Sequence, residues 1–267
     1  LPRELGDVLD YFLPEADAKG TASLVPETGR DARGARRLRP AALPIVAVPV
    51  GERDVLRAAF AWNLVVDIAR LGGNASLLVP EVARELWPAA GRGPLGVEVA
   101  VTPASELGAL NRAGLDVAVA RAGEARDCGV VLVGVPLSWL ASTENATALL
   151  RWVLLFSSSE RRDLMDTYAL AKQLRAAAPR ARVGVTIHGA RRVDEAEAAF
   201  GHLAEVYARR LGGSLTSYGL LVDDLHVYRA VAAQRPIGLE HPQSRAARAM
   251  QDVARLILDD ARERIDG

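Results

Sequence analysis

Cysteine is almost missing from this chain: Cys128 is the only one in 267 residues. No disulfide framework and no cysteine-based metal cluster can be built from it, and it is expected to be a buried small hydrophobe ahead of an apolar strand. Net charge is missing too. Lys and Arg number 33 against 33 Asp and Glu, which argues against a generally basic nucleic-acid binder. No apolar run reaches membrane-spanning length and no stretch reads as a signal peptide, so a cytoplasmic protein is expected. His188, His202, His226 and His241 are scattered without ligand spacing, and neither a Gly-x-Ser-x-Gly elbow nor His-Glu-x-x-His occurs. No metal site is expected.

What the chain does have is a large apolar fraction, half of all residues, enough for one sizeable α/β core. It is organised around residues 45–81. Ile45 to Val50 is a short apolar run of the kind that fills a strand buried on both faces. Val55, Leu56, Ala59, Phe60, Asn63, Leu64, Ile68 and Leu71 then recur at helical spacing. Gly72-Gly73 stops that helix where a left-handed residue is wanted, and Ala75 to Val79 is the next buried strand. In many proteins a strand, glycine turn and helix of this shape cradle a phosphate at the helix N-terminus.

The stretch resembles the first βαβ unit of the MinD/ParA ATPases, and among them most the FlhG-type regulators of flagellar number. That family carries a deviant Walker A loop, G-K-G-G-V-G-K-[ST]-[ST], followed by a helix containing Asn-Leu. This chain has Gly51, Glu52, Arg53, Asp54, Val55, Leu56, Arg57, Ala58 and Ala59, then Asn63-Leu64. Only the first glycine, the valine and the downstream Asn-Leu agree. Glu52 stands where the family lysine reaches the partner's nucleotide, Arg57 where the P-loop lysine stands, and Ala58 where a hydroxyl would hold magnesium. A phosphate cradle needs glycines so that backbone N–H groups can wrap the anion, and Arg53, Asp54 and Leu56 add side chains instead. Glu52 and Asp54 sit just ahead of a helix N-terminus, where the dipole favours their own charge. One like-charge contact with a triphosphate at roughly 4 Å costs about 4 kcal/mol at an effective dielectric of about 20. Arg57 could offset part of that as a good phosphate partner.

The resemblance implies two further losses. The family's L-L-V-D-x-D falls on Leu77, Leu78, Val79, Pro80, Glu81 and Val82, so Pro80 replaces the first aspartate, and Glu81 is expected to cap a helix through Leu86. The family's V-L-I-D-T-P falls on the strand Val130 to Val135 and Pro136, so Gly134 stands at the switch aspartate. Beyond that, Gly91 to Pro94 reads as a turn, Val97 to Val101 as a strand and Pro103 to Ala113 as a helix. Trp152 to Phe156, Val183 to Ile187 and Leu215 to Val222 read as strands. Leu164 to Leu174, Ala196 to Leu211 and Ser244 to Ile265 read as helices. Ser157-Ser158-Ser159-Glu160 and the helix after it are similar to the family's T-T-P-E loop and L-x-D-A-Y-A-L-I-K-x-L. His188 falls at its base-reading position, and the competing expectation there is a strand-end histidine satisfied by its neighbours. Asp223, Asp224 and His226 form an acid and imidazole cluster that reads either as a site or as helix entry.

Residues 1–43 read as an extension to a domain spanning 44–267. In it Leu5, Val8, Leu9, Phe12 and Leu13 share one helical face, either packed on the domain or offered to a partner, and residues 30–39 form an arginine-rich linker. The expected fold is therefore α/β, of the P-loop NTPase type to which MinD belongs (the SIMIBI class), with a mainly parallel sheet flanked by helices on both faces. The expected function is a pseudo-ATPase without cofactor, acting through a protein partner such as an active paralogue, a component of a polar machine, or a second copy. Two alternatives stand beside it: a nucleotide switch using Arg57, and a nonspecific ParA-like DNA binder using Arg191, Arg192, Arg209 and Arg210.

Overall fold

The computed structural model describes residues 41–125, 128–140 and 148–266. The amphipathic stretch with Leu5, Leu9, Phe12 and Leu13 and the arginine-rich linker lie outside the described residues. In chain order the elements are β1 (Ile45–Val50), α1 (Val55–Arg70), β2 (Asn74–Pro80), β3 (Gly91–Arg92), β4 (Glu98–Thr102) and α2 (Leu107–Ala122). They continue as β5 (Gly129–Pro136), α3 (Leu137–Leu140), β6 (Trp152–Ser158), α4 (Arg161–Ala177), β7 (Arg182–Ala190) and α5 (Val193–Leu211). β8 (Leu215–Val222), α6 (Leu225–Ala232), α7 (Ile237–Glu240) and α8 (Arg245–Asp266) complete the domain.

The strands form one sheet in the order β3-β4-β2-β5-β1-β6-β7-β8. All neighbours run parallel except the two-residue β3, which lies antiparallel on β4. The near-continuous Val, Leu and Ile runs of β1, β5 and β6 occupy the middle, where both faces of a parallel sheet are covered. α1 and α8 pack together on one face; α2, α4 and α5 cover the other. That split follows from right-handed crossovers, because the chain moves one way from β1 to β2 and the other way from β6 to β8. β1 lies between β5 and β6, so the order of connection reverses there. In open α/β sheets a crevice opens at such a switch point, outside the carboxyl ends of the strands.

Gly72 ends α1 at φ 86°, as the stop signal requires. Three expectations need correction. The helix expected from Pro103 to Ala113 starts at Leu107 and runs to Ala122: the Thr102 hydroxyl accepts the Ala104 N–H and holds 103–106 as a loop, and the helix continues through Gly108 and Gly114 to end before Gly123. The stretch 81–86 is a 3-10 helix in which Glu81 is the first residue and pairs with Arg84, so Glu81 caps nothing. Gly91-Arg92 adds an edge strand where a plain turn was expected. Cys128 is buried and free.

The Asn-Leu of α1 serves the core. Asn63 Oδ1 accepts the Ile237 N–H at 2.6 Å and its Nδ2 donates to the Ala59 carbonyl at 2.8 Å, tying α1 to α7. One turn on, Asp67 is 1% exposed and paired with Arg70 at 2.6 Å, with one oxygen unpartnered. Burial pushes its pKa up to about 6 against the pull of Arg70. A carboxyl whose native pKa is raised loses stability as pH climbs from its unfolded value to its folded one. Asp67→Asn is therefore expected to be more stable than the parent by about 2–3 kcal/mol at pH 7. The difference should vanish near pH 4, as urea titrations at the two pH values would show. A gap that stays constant with pH would mean that Asp67 does not titrate as described.

Candidate functional site

The crevice over β1 is built by the turn Gly51–Asp54, the start of α1, and the loop from β6 into α4. The turn closes on itself: the Asp54 N–H donates to the Gly51 carbonyl, and the Val55 N–H to that of Arg53. Asp54 is the N-cap of α1, its Oδ1 accepting the Arg57 N–H at 3.0 Å. The helix N-terminus, the place for an anion in folds of this shape, thus holds a carboxylate from its own chain. Glu52, expected to share that role, is exposed to solvent together with Arg53.

Arg57 turns inward. Its guanidinium pairs with Asp54 and with Asp163 of α4, and its Nε–H donates to the Phe156 carbonyl at 2.8 Å. Asp163 Oδ2 also accepts the Ser158 N–H at 2.5 Å. Burial works against the charge of Arg57, but the bond to Asp54 and the fields of Asp163 and Asp54 outweigh it and hold its pKa above the ordinary value. Asp163 is likewise opposed by burial, and the Ser158 amide and Arg57 hold its carboxyl below the usual range. The guanidinium that was the candidate phosphate partner thus already serves two carboxylates and a carbonyl. A cavity of about 340 Å³ lies on one side of this clamp, bordered by Gly51, Asp54 and Asp163. One of about 730 Å³ lies on the other, over the ends of β6, β7 and β8.

No family model matches the sequence, and no curated protein matches it at a significant level. Solved structures do match the fold. MinD of Aquifex aeolicus, a cell division protein, is 13% identical and covers 80% of this chain and 96% of its own, with a TM-score of 0.58. The septum site-determining protein MinD of Pyrococcus horikoshii, complexed with Mg-ADP, is 15% identical over 80% and 95%, at 0.55. A ParA family ATPase from Chlorobium tepidum is 11% identical over 79% and 98%, at 0.50. The MinD of Aquifex aeolicus also matches in its complex with MinC, at 14% identity over 80% and 95%, with a TM-score of 0.58. The chain has the MinD/ParA fold. At these identities the likeness establishes the fold alone.

Within the MinD/ParA fold the remaining positions fall as follows. Ala58 is buried on α1, and Pro80 ends β2 opposite Thr102 of β4. Gly134 lies in β5 opposite Val48 of β1, and the indole of Trp87 covers it. A Cβ placed on Gly134 would lie 2.6 Å from Trp87 Cζ2, so no side chain fits while the indole is there. Trp87 is 7% exposed and its Nε1 is buried without a partner. His188 ends up buried against Phe60, ring centroids 5.1 Å apart, with its Nε2 3.8 Å from Asp163 Oδ2 and unpartnered. The expectation of a satisfied histidine is thus corrected: hydrogen bonding to Asp163 fails by distance because Arg57 and the Ser158 amide hold that carboxylate. Burial first, and the nearby Arg57 charge second, push His188 down to about 4, leaving it neutral at pH 7.

The Asp224 cluster is helix entry. Asp224 caps α6, accepting the His226 N–H at 2.9 Å and the Ala246 N–H at 3.3 Å. Among the described residues no group of His, Cys, Asp and Glu could hold a metal ion, and no helix is long and apolar enough to cross a membrane. Asp163 and Trp87 were missed as site residues. An acid in the first turn after a polar loop is a detectable signal for the first; nothing local marks the second.

Proposed function

We propose that this chain is a nucleotide-independent relative of the MinD and ParA ATPases, not itself an enzyme, that acts by binding other proteins. The observation that carries the reading is the Arg57 clamp: the cation in the first turn of α1 is paired with Asp54 and Asp163, and the helix N-terminus is capped by Asp54. An incoming triphosphate would meet those carboxylates and would have to break both pairs before gaining Arg57. The Trp87 indole over Gly134 supports the same reading, since it fills the space where a metal-shell carboxylate would stand. Val55, Val82, Leu137, Leu225 and Tyr228 are exposed just beyond the carboxyl ends of four parallel strands, an apolar rim suited to protein contact.

The resemblance to FlhG-type proteins, together with the MinD complex with MinC among the matched structures, supports a protein partner, which we propose to be a component of a polar machine, an active paralogue or a second copy. The role is that of a spatial regulator or scaffold in the cytoplasm. Calorimetric titration with Mg-ATP and Mg-ADP, with light scattering on the same samples, is expected to give no binding heat and an unchanged mass. Micromolar binding would overturn the proposal and restore a switch through Arg57; a doubled mass would restore a nucleotide-driven dimer. Nucleic-acid binding is disfavoured because Arg192 and Arg209 are paired with Asp194 and Glu205 of their own helix.

A further inference from the structure

At the opposite end of the sheet from the Arg57 clamp, the amino ends of β1 and β6 meet the last turns of α8 around a cavity of about 410 Å³. Its walls are apolar, with Leu43, Ile45, Leu115 and Ile265 among them, and the ionisable side chains among its described lining residues are Arg151 and Arg264. No acid is among those residues. Arg182, beside Trp152 in the register of β6 and β7, adds its charge to theirs.

Arg264 is fixed in position, yet one edge of it is unpaired. Its guanidinium carbon lies 4.2 Å from the centroid of the Trp152 ring, a cation–π contact. The indole is held in turn: Trp152 is 2% exposed, its Nε1–H donates to the Tyr218 hydroxyl at 2.9 Å, and Tyr218 donates to Asp260. Nε and Nη2 of Arg264 are both buried without a hydrogen-bond partner among the described residues. These two nitrogens make up the edge of a guanidinium whose parallel N–H groups take two oxygens of a carboxylate or phosphate at once. Burial, and after it the charge of Arg182, push the Arg264 pKa below its ordinary value. Buried donors without an acceptor are rare and costly, most of all on a charged group, and an anion on this edge would relieve the burial and the repulsion together.

We propose that this cavity binds a small organic anion, with a carboxylate or phosphate head on the Nε and Nη2 edge of Arg264 and an apolar body along Leu43, Ile45, Leu115 and Ile265. Mostly apolar walls with one placed polar group are the usual make-up of a small-molecule pocket. A bare inorganic ion would leave the walls uncovered, and a neutral apolar molecule would leave the guanidinium edge unpaired. Arg151, exposed to solvent, adds positive potential for an arriving anion. The inference goes beyond the proposed function and does not depend on it, because the six residues of β1, about 20 Å of strand, separate this cavity from the clamp.

Titration of the full chain with hexanoate, hexyl phosphate, hexanol and inorganic phosphate tests it, followed by NMR at the Arg264 Nε–H and the Trp152 indole N–H. At least one of the two amphiphilic anions is expected to bind at least about tenfold more tightly than either hexanol or inorganic phosphate. The tighter of the two names the head group. Arg264→Lys keeps the charge but loses the two-pronged edge, and should weaken that binding about tenfold. Leu115→Glu sets a carboxylate on the wall at a position 41% exposed. It should weaken binding by at least about as much with an unchanged melting temperature, so that lost binding is not mistaken for lost folding. Hexanol binding as tightly would make the cavity a plain apolar pocket, and inorganic phosphate binding as tightly would make it a surface cluster of arginines. Unchanged binding in both variants would place the anion elsewhere. Each of these results would overturn the proposal, as would no binding of either amphiphile, and none of them bears on the titration with Mg-ATP.

Discussion

Replacing Gly134 with aspartate, which restores the carboxylate that the resembled family carries there, is expected to lower the melting temperature by roughly 10 °C. The new Cβ would lie 2.6 Å from Trp87 Cζ2, a distance real contacts do not adopt, and both residues are buried. Forcing the indole aside costs on the order of 1–3 kcal/mol as overpacking, and burying a carboxylate there adds to that, offset in part by Arg53 on the rim of the same cavity, for a total of about 3–5 kcal/mol. Trp87→Ala alone leaves a cavity and should lose about 3 kcal/mol. In the double variant the aspartate occupies the vacated volume, so the losses should fall well short of their sum. Chemical denaturation of the four proteins in a double-mutant cycle measures that coupling. Additive losses would mean that the indole does not exclude the side chain.

The second large effect is expected at Arg57. Arg57→Ala removes the guanidinium between Asp54 and Asp163 and leaves the Phe156 carbonyl without its donor. The three side chains are between 20% and 25% exposed, so the loss expected from breaking a buried pair is moderated to about 2–3 kcal/mol. The sharper signature is electrostatic. His188 is held down to about 4 by burial and by Arg57, against Asp163 and Asp54. Without Arg57 the two carboxylates act on it unopposed, and its pKa should climb toward the ordinary imidazole value. A depressed histidine makes the native state lose stability as pH falls from about 6.5 to 4, because the unfolded chain takes up the proton first. The variant should show less of that loss. NMR titration of His188 and denaturation at pH 7 and pH 5 would register both changes; an unmoved His188 would refute the coupling. Asp67 and Asp252, both raised to about 6 by burial, titrate in an overlapping window with the opposite sign, so the His188 contribution is read from the difference between variant and parent at each pH.

The sheet was legible because its strands are apolar runs bounded by glycine and polar turns. β1 and β8 fall at the expected residues, and β2, β5, β6 and β7 overlap theirs, because burial on both faces leaves little room for another pattern. The capping carboxylate at Asp54 was legible for the same kind of reason: an acid directly before a helical run is a local signal. Long-range partners carry no such mark. Asp163 lies 106 positions from Arg57, and only the parallel placement of β1 beside β6 brings the first turns of α1 and α4 together. Trp87 reaches Gly134 from a loop past the end of β2, and no periodicity predicts which indole will cover which glycine. The start of α2 was misread because Pro103 is tolerated both in a first helical turn and in a loop, and the Thr102 hydroxyl decides for the loop.

Arg57 also has a mechanical consequence. It reaches from α1, which leads toward β2, to α4, which leads toward β8, and so spans the place where the sheet's two wings part. A crevice of this kind is ordinarily the compliant seam of an α/β domain. Here, opening it requires an ion pair and a backbone hydrogen bond to give way together, so the guanidinium works as a cross-brace. The loops anchored to it, Gly51–Asp54 and the turn from β6 into α4, are thereby held in one outline. On the proposed function, a partner that used these loops would meet a standing shape, with little ordering left to be done at the moment of contact.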